Sequence, residues 1–299
     1  MAVHNTNLQN FIAEEVSKVK GVAVPVRASL LERALVRKVS CKKLHPNPND
    51  EFCIPEIGPN EEIVSRYSQE FRNYLANVSS VRYTDNTALK PLDVQKISPD
   101  GYMILNGHHR WAGAVRAGVP RLRVRIMNLT QEKDIRKMLE HSNHKMRITL
   151  DMDEIVFSPE KDGRTEKPLP FPLCRFFPEK LRLGIPALFS FCAAMGYDIW
   201  LYSSGYNSLD YIRELLKLYH TQVTGIITGT ARKAPKHSAT GEAMEKLFSA
   251  KYTRTIHIDN NMLLCIDSRT KDFREFPLTG TGTWSAEVME TMKAVNRHE

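Results

Sequence analysis

Four short apolar runs in the second half of the chain, at 146–151, 197–202, 223–228 and 255–258, are separated by segments with helical spacing at 180–195, 209–219 and 241–250. Strand and helix in repeated alternation call for a parallel sheet, because parallel neighbours need a long crossover and a helix is the usual one. Three of the runs end in residues that can do chemistry: Asp151-Met-Asp153, Ser203-Ser-Gly205 and Asp259-Asn260. Open α/β sheets hold their ligands at the carboxyl ends of such strands. Side chains alternate along an extended segment, so Asp151 and Asp153 can project from one side. Taken alone, the pair reads first as a solvated acidic turn closing a buried strand. Ser203 and Asp259, each at another strand end, turn it into three parts of one site.

The first half has a different character. Residues 1–145 hold 22 Lys and Arg against 15 Asp and Glu, so +7 of the chain's +8 lies there and an anionic partner is expected on that side. Residues 1–35 mix helical spacing (Leu8, Phe11, Ile12, Val16, Val19, then Leu30, Leu31, Leu35) with Gly21-Val-Ala-Val-Pro25, giving one or two helices outside a first domain. An edge strand at 38–44 runs into His45-Pro-Asn-Pro-Asn-Asp-Glu51, whose prolines and asparagines make a loop. A helix follows at 61–78 with Ile63, Tyr67, Phe71 and Leu75 on one face, then a hairpin, 91–97 and 102–105, turning at Ser98-Pro-Asp-Gly101. Next comes Asn106-Gly-His-His-Arg110, a strand, one glycine and a helix start. Backbone donors, a favourable dipole end and a guanidinium together make a phosphate site. The strand Arg121-Leu-Arg-Val-Arg-Ile126 alternates basic and apolar residues.

Five cysteines without a Cys-x-x-Cys pair read as free thiols in a reducing compartment. The longest apolar run, 185–197, is too short to span a bilayer, and no secretory signal opens the chain, so a cytoplasmic protein without membrane contact is expected.

Ile104-Leu-Asn-Gly-His-His-Arg-Trp-Ala-Gly-Ala-Val-Arg-Ala-Gly118 resembles the signature of the ParB/sulfiredoxin superfamily over roughly 36–127, and looks most like its free serine kinases. The resemblance implies that Asn106, Gly107, His108, His109 and Arg110 hold the phosphates of ADP, ATP or CTP, with Glu51 as base for a substrate hydroxyl. Asn106 stands where the kinases carry Asp. His108 stands where sulfiredoxins carry their cysteine, which argues against sulfinic acid repair, and no helix-turn-helix pattern follows as in partition proteins.

Residues 146–270 resemble the haloacid dehalogenase superfamily. That resemblance implies Asp151 as the nucleophile of an aspartyl-phosphate, Asp153 as general acid/base and Ser203 as phosphoryl ligand. Lys246 is the motif-three lysine, with Lys251, Lys236 and Lys233 as rivals. Mg2+ would be held by Asp151, Asp153, Asp259 and Asn260, the last replacing a second acid. The excursion at 158–178 is too short for a large cap.

The expected architecture is therefore mixed α/β and α+β. A helical extension (1–35) precedes a ParB/sulfiredoxin-like α+β domain (36–128), a helical linker (129–145) and a haloacid dehalogenase-like Rossmannoid parallel-sheet domain (146–299). Mg2+-dependent phosphatase action on a phosphorylated small molecule or nucleotide ranks first. A nucleotide-dependent kinase of a small hydroxyl compound ranks second. Nucleic-acid binding ranks third, for want of a helix-turn-helix or an aromatic stacking series.

Overall fold

The computed structural model describes residues 2–76, 90–161, 163–229, 239–270, 272–280 and 282–297. Its internal contacts divide the chain into two units, Met1–Asn128 and Leu129–Glu299. Both are mixed α/β, each built on a six-stranded sheet.

Unit 1 opens with α1 (Ala2–Ser17), β1 (Val24–Pro25) and α2 (Leu30–Ala34). The apolar spacing read in α1 is a packing stripe: Leu8 and Ile12 are buried, and Phe11 stacks on Trp111 at 5.6 Å. Segment 1–35 thus contributes to this unit's core rather than lying outside it. Ser29 and Glu32 cap the start of α2 reciprocally, yet Leu30, Leu31 and Leu35 are 71%, 74% and 61% exposed, so the helical face expected there is not buried.

After β2 (Arg37–Ser40), β3 (Leu44–His45) and the proline-rich loop comes α3 (Glu61–Ala76). Its buried stripe is Val64, Ser68 and Phe71, one residue round from the expected face, which leaves Leu75 exposed. The reason is α4 (His108–Arg116), whose Gly113 comes so close that a Cβ there would sit 2.7 Å from the Cβ of Tyr67. The hairpin is β4 (Leu92–Ser98) and β5 (Tyr102–Asn106), and β6 (Arg121–Ile126) follows α4. Gly101 takes φ 99° in the hairpin turn, where a Cβ would lie 2.8 Å from the Lys43 carbonyl oxygen. The sheet order is β2-β6-β4-β5-β3, with β1 on the far end of β4.

Unit 2 begins with α5 (Glu132–Glu140), whose Ile135, Met138 and Leu139 pack with Trp200 and Ile227. A segment expected as a linker therefore covers one face of this unit's sheet. The strands and helices that follow are β7 (Met146–Asp151), α6 (Leu173–Phe176), α7 (Ile185–Ala194), β8 (Tyr197–Ser203), α8 (Leu209–Leu218), β9 (Gly225–Thr228), α9 (Ala239–Lys251) and β10 (Arg254–Ile258). They give a sheet in which β10, β7, β8 and β9 run parallel in that order. Two elements unseen in the sequence, β11 (Met262–Asp267) and β12 (Phe273–Pro277), extend the β10 edge antiparallel, and α10 (Trp284–Arg297) packs beside α7. No helix among the described residues is long and apolar enough to cross a membrane.

Candidate functional sites

Gly107 ends β5 in the left-handed region, φ 102°, and α4 starts at the next residue. A Cβ at 107 would lie 2.4 Å from Cδ2 of Leu92, so the tight entry into the helix depends on glycine. The two histidines that follow both face the 45–60 loop. Nε2 of buried His108 accepts the backbone N–H of Asn47 at 3.2 Å, and its Nδ1 stands 3.6 Å from Oδ1 of Asp50. Nε2 of His109 accepts the N–H of Asn60 at 3.0 Å. Phe52 sits against both, stacked on His108 at 5.4 Å and edge-on to His109 at 5.0 Å. Burial holds the His109 imidazole below its ordinary pKa, against a smaller opposing pull from Asp50.

The histidines are therefore clasps of the loop in this structure, a role that loop composition did not reveal. Asn106 is exposed, and Arg110 donates to the Lys90 carbonyl at 3.0 Å. Glu51, the expected base, is exposed; its neighbour Asp50 is the carboxylate that faces His108, while its Oδ1 also accepts the Phe52 N–H.

The alternation of β6 is as read: Leu122, Val124 and Ile126 are buried, Arg121, Arg123 and Arg125 exposed. The register adds what the sequence could not. Lys38 of β2 lies directly opposite Arg123, and Arg125 lies beside Asp93, with Nε 2.8 Å from Oδ1. Lys38, Arg121 and Arg123 have no ionic or hydrogen-bonding side-chain partner among the described residues. Like charges facing each other across strands weaken a sheet.

In unit 2 the ends of β10, β7 and β8 are neighbours in the sheet. Oδ1 of Asp151 accepts the Glu154 N–H at 2.7 Å and so caps a single wide helical turn, Met152–Val156. That turn brings Asp153 onto the end of β8. Its Oδ2 accepts from Ser203 Oγ at 3.0 Å, Ser204 N at 2.9 Å, Ser204 Oγ at 3.0 Å and Gly205 N at 3.2 Å. Leu150 is level with Ile258 across β7 and β10, so Asp259 follows beside Asp151. Asn260 reaches two ways: its Nδ2 donates to the Glu154 carbonyl at 3.5 Å, and its Oδ1 accepts from Arg182 at 2.7 Å.

Arg182 was not among the expected residues. It is buried, bonded to Glu160 at 3.3 Å, and lies over the Trp284 ring at 4.5 Å. Trp284 in turn donates to the Asp259 carbonyl at 3.2 Å. The sequence places it in a helix expected at 180–195, whereas that helix starts at Ile185 and Arg182 lies in the approach to it.

Two expectations do not hold in this geometry. Among the described residues no group of three or more His, Cys, Asp or Glu is placed to hold a metal, so the four-residue Mg2+ set is not assembled. Asp153 is engaged by the β8 loop and Asn260 by Arg182, while Asp151 and Asp259 each accept one backbone N–H, from Glu154 and Asn260. Nor does a described lysine touch the carboxylates: Lys246 is exposed on α9, and Lys251 donates to the Ser142 carbonyl at 2.7 Å. Lys233 and Lys236 lie outside the described residues.

Residues 54–143 match the ParB N-terminal domain. The matched span contains Gly107-His-His-Arg110 and the whole of β6, and it ends before β7. The ParB part of the likeness expected from the sequence is thus supported over these residues. Two solved structures of the chromosome-partitioning protein ParB from Caulobacter crescentus, C-terminally truncated, are similar at 23% identity. The one complexed to the centromeric parS site covers 35% of this chain and 46% of its own, with a TM-score of 0.22. The one complexed with CTP-gamma-S covers 36% and 59%, with a TM-score of 0.24. This chain therefore spans about half the length of the ParB chains it resembles. No curated protein matches it.

Proposed function

We propose that unit 1 is a ParB-like module that binds the phosphate backbone of a nucleic acid along β6 and β2 and a nucleotide at the start of α4. The observation that carries the reading is the cationic ladder of Lys38, Arg121 and Arg123, unpaired among the described residues. A sheet that keeps like charges opposite one another gives up stability unless a polyanion supplies the missing countercharge. Alternate residues on a strand are about 6.6 Å apart, a repeat of the same order as that of successive phosphates in a strand. The nucleotide is ADP, ATP or CTP in class, with the first-turn N–H groups of α4 and the Arg110 guanidinium as phosphate donors. This reverses the order expected from sequence, in which nucleic-acid binding stood last. The test is the affinity of the full chain for a fluorescein-labelled DNA duplex as salt is raised, for wild type and Arg121→Gln/Arg123→Gln. An affinity and salt slope unmoved by the double substitution would refute it.

A second reading, for unit 2, is favoured by Asp151 beside Asp259 and by the four donors on Asp153. Here unit 2 has a haloacid dehalogenase-like architecture and transfers or hydrolyses phosphoryl groups. Asp151 is the nucleophile. Asp153, fixed by Ser203 to Gly205, is the acid/base group, and the buried Ser203 orients it. Asp151 and Asp259 on adjoining strand ends would hold Mg2+ together with water and substrate oxygens, and the ion would supply charge neutralisation at the transferring group. Loss of p-nitrophenyl phosphate hydrolysis in Asp151→Asn is expected. The kinase reading has less support, since the carboxylate that faces His108 is Asp50 rather than its expected base, Glu51.

A further inference from the structure

The segment between β7 and α7 keeps two large aromatic rings on its outside although it is firmly anchored. Leu169 is buried, and the Phe177 ring stacks on Tyr211 at 4.9 Å. The Tyr211 hydroxyl bonds to the Glu179 carboxylate and reaches the Phe176 carbonyl at 3.3 Å. Between these anchors Phe171 is 74% exposed and Phe176 68% exposed, and the Arg175 guanidinium lies over the Phe171 ring at 5.5 Å. Burying either ring would gain roughly 1.5–3 kcal/mol, so a pinned segment that leaves both in water presents them to something else.

The charge around the rings says what. Lys167, Arg175 and Lys180 are exposed, while the neighbouring acids are engaged internally, Glu166 by the Gly184 N–H at 2.7 Å and Glu179 by Tyr211. The segment thus offers flat apolar faces beside cations, with Glu166 and Glu179 engaged internally. Unpaired nucleobases joined to phosphates have that combination, because every base has a π-face to stack and every linkage a charge for Arg or Lys. Position agrees. Tyr211, on which the segment is anchored, is in the first turn of α8, and the loop leading into that helix carries Ser203, Ser204 and Gly205, the groups that hold Asp153.

We propose that Phe171, Arg175 and Phe176 form a base-stacking platform that delivers the phosphate of a nucleotide unit to the carboxylates of unit 2, which rests on the phosphoryl-transfer reading of that site. The nucleotide unit is the end of a single strand, whose successive phosphates suit the three exposed cations.

The test uses the full chain carrying Arg121→Gln/Arg123→Gln, so that the ladder of unit 1 does not hold the probe. Fluorescence anisotropy of a fluorescein-labelled thymidine oligonucleotide gives the affinity, with thymidine monophosphate as competitor. Phe171→Ala and Phe176→Ala, both at exposed positions, are each expected to weaken binding about tenfold, and Arg175→Gln to flatten its salt dependence. Weak competition by the monophosphate is expected; full competition would show a mononucleotide site and overturn the strand as occupant. Affinities unchanged by both phenylalanine substitutions, or binding of a phosphopeptide but not of the oligonucleotide, would overturn the platform. Wild-type protein that fails to hydrolyse p-nitrophenyl phosphate while the phenylalanines still govern binding would overturn the reaction and leave the platform standing.

Discussion

Oδ2 of Asp153 accepts a hydrogen bond from Oγ of Ser203 at 3.0 Å, joining the turn after β7 to the end of β8. Ser203 is fully buried, so the bond is shielded, and the loop N–H groups of Ser204 and Gly205 converge on the same oxygen. Ser203→Ala should therefore leave Asp153 bonded but less restrained. The expected result is a fall in kcat for p-nitrophenyl phosphate with KM nearly unchanged, together with about 1 kcal/mol less stability for the lost hydrogen bond. Steady-state kinetics and urea denaturation check both parts.

Arg182 and Glu160 form an ion pair in which both side chains are almost wholly buried. Removing one partner leaves a buried charge uncompensated, which typically costs about 3–5 kcal/mol. Arg182→Met is expected to destabilise unit 2 by that order. Arg182→Met/Glu160→Gln should recover much of it, and a double-mutant cycle in urea separates the two. Additive effects would show that the pair is not coupled.

The His109 clasp makes the 45–60 loop sensitive to acid. With Nε2 accepting from Asn60, the neutral ring carries its proton on Nδ1; a second proton must go on Nε2, into the path of the Asn60 N–H. Because burial lowers the folded-state pKa below the ordinary 6.5, the unfolded or opened state takes up the proton first as pH falls. The clasp is complete above pH 6.5 and weakens below it. Hydrogen exchange at Asn60 should speed up on going from pH 7.5 to 5.5, after correction for intrinsic rates, and His109→Gln should remove that change.

Much of this architecture was legible because both sheets advertise themselves by period. The four parallel strands of unit 2 are short apolar runs ending in Asp151, Ser203 and Asp259, and each strand end lies where its run stops. Arg121 to Ile126 shows its two faces by simple alternation. Other features depend on partners distant in sequence. The face of α3 is turned by the approach of Gly113, and β11 and β12 alternate too weakly to stand out from loop. His108 and His109 read as phosphate ligands until the loop carrying Asn47 and Asn60 is seen to use them. Arg182 and Lys38 acquire meaning only from register and burial.

The central claim concerns the ladder of Lys38, Arg121 and Arg123. It is tested most directly by the salt dependence of DNA binding by the full chain. For wild type, the logarithm of affinity should fall linearly with the logarithm of salt concentration. Arg121→Gln/Arg123→Gln should weaken binding at low salt and reduce the slope by about 2, near one unit for each phosphate contact removed. A wild-type affinity indifferent to salt, or a slope unchanged by the double substitution, would contradict the account.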